Sequence, residues 1–185
     1  PRDSKTVFVA AYGPLWSSGG DRGLYKTTDG GATWTRILNI SEHTGISDVV
    51  MDPFNPDVLL ATAHQRRRHT WTLIHGGPES GLHKSTDGGK TFTVVNTPHG
   101  DNHGMWFNPD NPQIILQVND GGANVSLNGA RSWSSILNQP TAEYYMVAVD
   151  EQYPYRLYMP QQDNSTLIIP SIPPMSWGFE HPAQA

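Results

Sequence analysis

Thr27-Thr-Asp-Gly-Gly-Ala-Thr-Trp34 decides the fold, because the chain carries it twice more, as Ser85-Thr-Asp-Gly-Gly-Lys-Thr-Phe92 and, with Asn in place of Asp, as Ser126-Leu-Asn-Gly-Ala-Arg-Ser-Trp133. A carboxylate in a tight turn accepts hydrogen bonds from the backbone N–H groups that follow it, while glycines supply positive φ and hydroxyls tie down neighbouring backbone. The aromatic then opens the next strand. Each copy reads as a β-hairpin turn held by its own side chains, which gives Asp29, Asp87 and Asn128 structural roles.

A second repeat lies between these turns. Asp52-Pro-Phe-Asn-Pro-Asp-Val-Leu-Leu-Ala aligns with Asn108-Pro-Asp-Asn-Pro-Gln-Ile-Ile-Leu-Gln and with Asp150-Glu-Gln-Tyr-Pro-Tyr-Arg-Leu-Tyr-Met. The intervals from Asp29 to Asp52, Asp87 to Asn108 and Asn128 to Asp150 are 23, 21 and 22 residues. Both elements therefore belong to one unit. Its starts at 52, 108 and 150 are 56 and 42 residues apart, near the period of about 40–50 residues of a four-stranded propeller blade.

One unit shows the strands: Ile46–Met51, Val58–Ala63, Gly81–Ser85 and Thr91–Val95, each bounded by turn residues. Strand, turn, strand, long loop, strand, tight turn, strand is an antiparallel meander. No sustained helical period is present. The expected fold is all-β, a propeller of four-stranded antiparallel blades with about fourteen strands. The chain divides into a partial blade at 1–38, blades at 46–95 and 104–138, a partial blade at 145–162 and a Pro-rich tail at 163–185. It is expected to be a segment of a larger propeller.

These residues resemble the Asp-box, or BNR-repeat, β-propellers, a group that includes sialidases, xyloglucanase-type glycoside hydrolases and the sortilin ectodomain. Gly100-Asp-Asn-His103, Asn119-Asp-Gly-Gly122, Asn138-Gln-Pro-Thr141 and Gln161-Gln-Asp-Asn164 look like a bacterial branch of glycosyl hydrolase-like or sortilin-like proteins. The resemblance implies a secreted or periplasmic protein directed at a polysaccharide or glycan. It also leaves open a peptide- or protein-binding module, or a structural part of a surface assembly. A sialidase is poorly matched: Arg66, Arg67 and Arg68 are consecutive, so a strand points them alternately and no three-pronged clamp results.

Composition narrows the partners. A net charge of −5 with one short basic run argues against nucleic acid. No apolar run approaches the ~20 residues that span a bilayer as a helix. The 185 residues contain no cysteine, so disulfides and thiolate metal sites are excluded.

Meander alternation sends the hairpin turns and the Asp-Pro turns to one end of the strands. The irregular loops, 12–22, 43–45, 64–80, 97–103, 119–122, 139–144 and 161–165, share the other. Tyr12, His64, Asp120 and Gln162 end the second strands, and Ser47, His103 and Tyr145 begin the innermost ones, so these side chains are expected to ring one pocket mouth. Glycoside hydrolysis needs two carboxyl groups about 5–5.5 or 6.5–9.5 Å apart. The candidates are Asp101, Asp120 and Asp163, with Asp48 and Glu143 behind them. Trp16, Trp71, Tyr144 and Tyr145 are candidate sugar platforms, and Gln161, Gln162 and Asn164 complete the binding set. Trp34, Trp106 and Trp133 are expected in the core. Asp101, Asn102, His103 and Asp120 form an oxygen-rich set of the kind structural calcium takes; no transition metal and no organic cofactor is assigned.

Overall fold

The Asp87 carboxylate gathers its own turn. Its Oδ1 accepts hydrogen bonds from the backbone N–H of Lys90 (2.9 Å) and Thr91 (3.0 Å) and from Ser85 Oγ (2.8 Å), and Oδ2 accepts from Thr91 Oγ1 (2.6 Å). Asp29 repeats the pattern with Thr33 N–H (2.9 Å), Thr27 Oγ1 (2.7 Å) and Thr33 Oγ1 (2.6 Å). Asn128 keeps it with the polarity of one bond reversed. Its Oδ1 accepts from Arg131 and Ser132 N–H (3.1 and 2.9 Å), while Nδ2 donates to Ser132 Oγ (2.8 Å). The left-handed positions are Gly30 and Gly31, Gly88 and Gly89, and Gly129 with Ala130 at φ 69°.

The second and third turns are also docked on the turns that open with Asp52-Pro and Asn108-Pro, while Gly30 N–H of the first donates to Lys5 O (3.0 Å). Gly88 N–H donates to Asp57 O and Gly129 N–H to Gln113 O, both at 2.9 Å. The Asp-Pro turns are closed by their leading residue: Asp52 Oδ1 accepts from Phe54 N–H (2.8 Å), and Asn108 Oδ1 from Asp110 N–H (2.8 Å). The two turn types therefore share one end of the strands.

The computed structural model describes residues 3–135, 144, 146–161 and 166–172. Its strands are β1 (Val7–Ala11), β2 (Gly23–Thr27), β3 (Thr35–Leu38), β4 (Thr44–Met51), β5 (Leu59–Arg68), β6 (Leu73–His75), β7 (Gly81–Ser85), β8 (Thr93–Val95), β9 (Asn102–Phe107), β10 (Ile115–Asn119), β11 (Gly122–Ser126), β12 (Ala148–Val149), β13 (Arg156–Pro160) and β14 (Thr166–Pro170). There is no helix among the described residues, and so none long and apolar enough to cross a membrane. Every pairing is antiparallel, in the orders β1-β2-β3, β4-β5-β7-β8 with β6 added on β5, β9-β10-β11, and β12-β13-β14. The fold is all-β and made of propeller-type blades.

The chain falls into two units, residues 1–136 and 137–185. In the first, β5 is an inner strand of its sheet and Leu59–His64 are all buried, which explains why Leu59-Leu-Ala-Thr-Ala63 does not alternate with charged residues. Ala61 and Ala63 pack with Leu24 and Ile46 toward the first sheet. Leu60 packs with Leu82, Phe107 and Ile115 toward the third. A fully buried Leu or Ile contributes about 1.5–3 kcal/mol. Two repeated lysines add polar ties between sheets: Lys26 Nζ donates to Gly88 O (2.9 Å) and Lys84 Nζ to Gly129 O (2.7 Å).

Three details differ from the sequence reading. The stretch 64–80, read as an irregular loop, carries the end of β5 and all of β6. In the second unit, β14 lies within the segment read as a Pro-rich tail and pairs with β13. Trp34 and Trp106 are not core residues: Trp34 caps its own turn through Nε1 to Gly31 O (3.1 Å), and Trp106 lies on the exposed face of the third sheet. Trp133 packs against the core as expected.

Candidate functional site

Where β1 runs out, Tyr12 meets the far end of β5. Its phenol and His64 Nδ1 share a hydrogen bond, and the two rings stack with centroids 5.5 Å apart. The approach depends on glycine. Gly45 pairs with His64 across β4 and β5, and a Cβ there would lie 2.2 Å from Tyr12 O. Arg22, buried beneath the loop, fixes its course. Its guanidinium donates to Tyr12 O (2.6 Å), Ser17 O (3.1 Å) and Pro14 O. Burial, together with the neighbouring Arg67 charge, makes this guanidinium less basic than usual.

Two further imidazoles lie against His64. His75 of β6 stands edge-on at 4.6 Å between centroids, and His103 of β9 edge-on at 5.3 Å. His75 and His103 are 6.2 Å apart. His103 Nε2 is hydrogen-bonded to Asp120 Oδ1 in the turn between β10 and β11. His64 is fully buried beneath these partly exposed groups. Burial first, then the charges of His75, His103 and Arg66, push its pKa down to about 4, so it is neutral at neutral pH. A phenol donates readily to a neutral imidazole, which leaves the His64 proton on Nε2. That buried nitrogen has no hydrogen-bond partner among the described residues. Burial and the Asp101 charge raise the Tyr12 pKa, against Arg66, whose guanidinium lies 5.3 Å from the Tyr12 ring centre.

Asp101 approaches from the loop before β9. Its carboxylate occupies the space beside Gly76, where a Cβ would lie 2.4 Å from Oδ1. Asn102 is turned into its own loop, with Nδ2 donating to Gly100 O (2.8 Å) and His99 O (3.3 Å). Its amide nitrogen thus serves the loop. Among the described residues no three His, Cys, Asp or Glu side chains are grouped so as to hold a metal ion.

Trp16 and Trp71 are 62% and 82% exposed, which suits platforms better than packing. Arg68 lies over the Trp16 ring at 5.7 Å, and His69 stacks on Trp71 at 5.6 Å. Arg68 N–H donates to Leu15 O (2.9 Å), binding the 12–22 loop to β5.

Tyr12, His64, His103 and Asp120, aligned from the repeats, therefore form one connected group, with Asp101 beside it. Ser47 does not join them. A bulge between Ile46 and Asp48 lets its hydroxyl bond Thr62 Oγ1 (2.8 Å), and Asp48 Oδ2 accepts the Met105 N–H (3.2 Å) between sheets. Tyr145, Gln162, Asp163, Asn164 and Glu143 lie outside the described residues. Gln161 belongs to the second unit, where it bridges Tyr144. Sequence reasoning missed His75 and the role of Arg66. The absence of any Gly or Pro between Val58 and His75 was the available signal that strand structure continues there.

No protein-family model matches the chain, and no curated protein does. Among solved structures, it is similar to a GH74 enzyme from Niastella koreensis (18% identity, TM-score 0.56, 92% of this chain and 27% of that one). It is similar also to an ancestral GH74 enzyme (17%, TM-score 0.55, 91% and 24%) and to the GH74 xyloglucanase from Xanthomonas campestris (16%, TM-score 0.52, 91% and 27%). At these identities the likeness shows the fold alone, that of a β-propeller. The chain spans about a quarter of the length of each.

Proposed function

We propose that this chain is part of a carbohydrate-directed, glycoside hydrolase-like propeller protein whose glycan site is the loop-end group of Tyr12, His64, His103, Asp101 and Asp120. The observation that carries the reading is the His103–Asp120 hydrogen bond beside the Tyr12–His64 pair. Four residues from three sheets meet at the end of the strands away from the hairpin turns.

In this reading Asp120, oriented by His103, is the nucleophile or the base that activates water, and Asp101 is the acid that protonates the glycosidic oxygen as its bond to the anomeric carbon breaks. Exposed Trp16 and Trp71 supply stacking faces for sugar rings. The self-bonded hairpin turns support membership of the Asp-box (BNR-repeat) propellers, and a secreted or periplasmic location belongs to the same reading. Fold alone does not assign chemistry.

The test is a panel of plant and bacterial polysaccharides assayed for new reducing ends and, separately, for retention of the protein. Asp120→Asn and Asp101→Asn are expected to abolish cleavage and keep retention. Unchanged cleavage in both variants removes their catalytic role. Retention by peptides and by no glycan replaces the carbohydrate reading with that of a peptide-binding module.

A further inference from the structure

The end of β5 gathers positive charge in a chain whose net charge is −5. Arg66, Arg67 and Arg68 are consecutive, and strand alternation places Arg66 and Arg68 on one side. There they lie over Tyr12 and Trp16, at 5.3 and 5.7 Å from the ring centres. Arg67 is close enough to the buried Arg22 to weaken its hold on a proton. Among the described residues no arginine lies within ion-pair distance of a carboxylate; the two close pairs found are His43 with Glu42 and His103 with Asp120. Like charges this near repel, and partly buried arginines without an anion are costly.

A second observation points the same way. The Nε atoms of Arg66 and Arg67 are buried with no hydrogen-bond partner, and so is Nε2 of the fully buried His64. These nitrogens are closed to solvent, so it is the accessible parts of Arg66 and Arg68 that are left to take acceptor oxygens. Paired anionic oxygens fit guanidinium forks best, and the aromatic rings under Arg66 and Arg68 fit a sugar face.

We infer that Arg66 and Arg68, with Tyr12 and Trp16, form a subsite for the carboxylates of a uronate-containing glycan. This refines the carbohydrate reading above and rests on it. Arg67 and Arg22 add to the attraction through their field. The neutral His64 is the floor of the subsite, and Asp101 and Asp120 lie at its side, where they orient hydroxyls and exclude anions from the carboxylate end.

Isothermal titration with hexagalacturonate, a neutral xyloglucan oligosaccharide and dextran sulfate tests it. Hexagalacturonate is expected to bind at least about tenfold more tightly than the neutral oligosaccharide, with affinity falling as salt rises. Arg66→Gln and Arg68→Gln are each expected to cost about tenfold. Arg131→Gln, an equal loss of charge at a hairpin turn, is expected to leave binding unchanged. Arg68 is exposed, so its variant reports even where Arg66→Gln lowers the melting temperature. Equal or tighter binding of the neutral oligosaccharide, unaffected by both variants, overturns the uronate subsite and leaves the glycan site standing. Dextran sulfate binding as tightly as hexagalacturonate also overturns it, as general polyanion attraction. Binding of no saccharide overturns the carbohydrate reading itself.

Discussion

Tyr12 and His64, fifty-two positions apart in the chain, share a hydrogen bond between the phenol and Nδ1 that joins the first sheet to the second at the loop end. Removing the hydroxyl leaves a buried imidazole nitrogen unpaired. Tyr12→Phe is expected to cost about 1–3 kcal/mol, read as a lower urea midpoint with an unchanged slope. An unchanged midpoint would mean that water replaces the phenol without loss.

His64 makes stability depend on pH. Its folded pKa, about 4, is below its ordinary value of 6.5, so between these values the unfolded chain binds a proton that the folded chain refuses. Stability therefore falls as pH drops through that window, by on the order of 2 kcal/mol between pH 7 and pH 5. His83, also lowered by burial, adds in the same direction. The difference between the native chain and His64→Asn isolates the His64 share. Parallel pH curves for the two would refute it.

The hairpin turns are expected to lose stability in the same direction, at still lower pH. Hydrogen bonds from Thr91, the turn backbone and Ser85 hold the Asp87 carboxyl well below the usual range. Its contribution is complete above the ordinary carboxylate value and is lost as pH falls from there toward the depressed one. Asn128 shows that an amide can serve the same turn. Asp87→Asn should thus melt within about 2 °C of the native chain at pH 7, and Asp87→Ala about 5 °C lower. Equal melting of the two variants would contradict the hydrogen-bond account.

Gly76 has φ of +104° and Asp101 Oδ1 in the place of a Cβ. Gly76→Ala is expected to destabilise by about 1–3 kcal/mol and to displace the Asp101 carboxylate. Gly81 has open space and no positive φ, so Gly81→Ala should stay within about 0.5 kcal/mol. Thermal melts of both variants decide it.

Much of this architecture was legible because turn chemistry is local. Asp29 and Asp87 bond atoms within four residues, so a short motif contains the whole interaction. The convergence of Tyr12, His64 and Asp120 was legible because repeated units place equivalent positions at equivalent heights. His75 and Arg66 were not. Their hairpin is an extension found in one blade among the described residues, and three consecutive arginines read as a solvated loop. Ser47 was misplaced by a single bulge, which turns a strand residue to the other face. Trp34 shows that an aromatic just before a strand can cap its own turn, and Trp106 that one near a strand's end can lie on an open sheet face.

Histidine-ring NMR during a glycan titration tests the central claim most directly. With labelled imidazoles, added hexagalacturonate is expected to shift the His75 and His103 signals of the native chain in proportion to binding. At equal glycan concentration the shifts should be strongly reduced in Arg66→Gln and persist in Asp120→Asn, which keeps binding. Saccharide binding that leaves both rings unmoved would place the site elsewhere on the molecule and contradict the account.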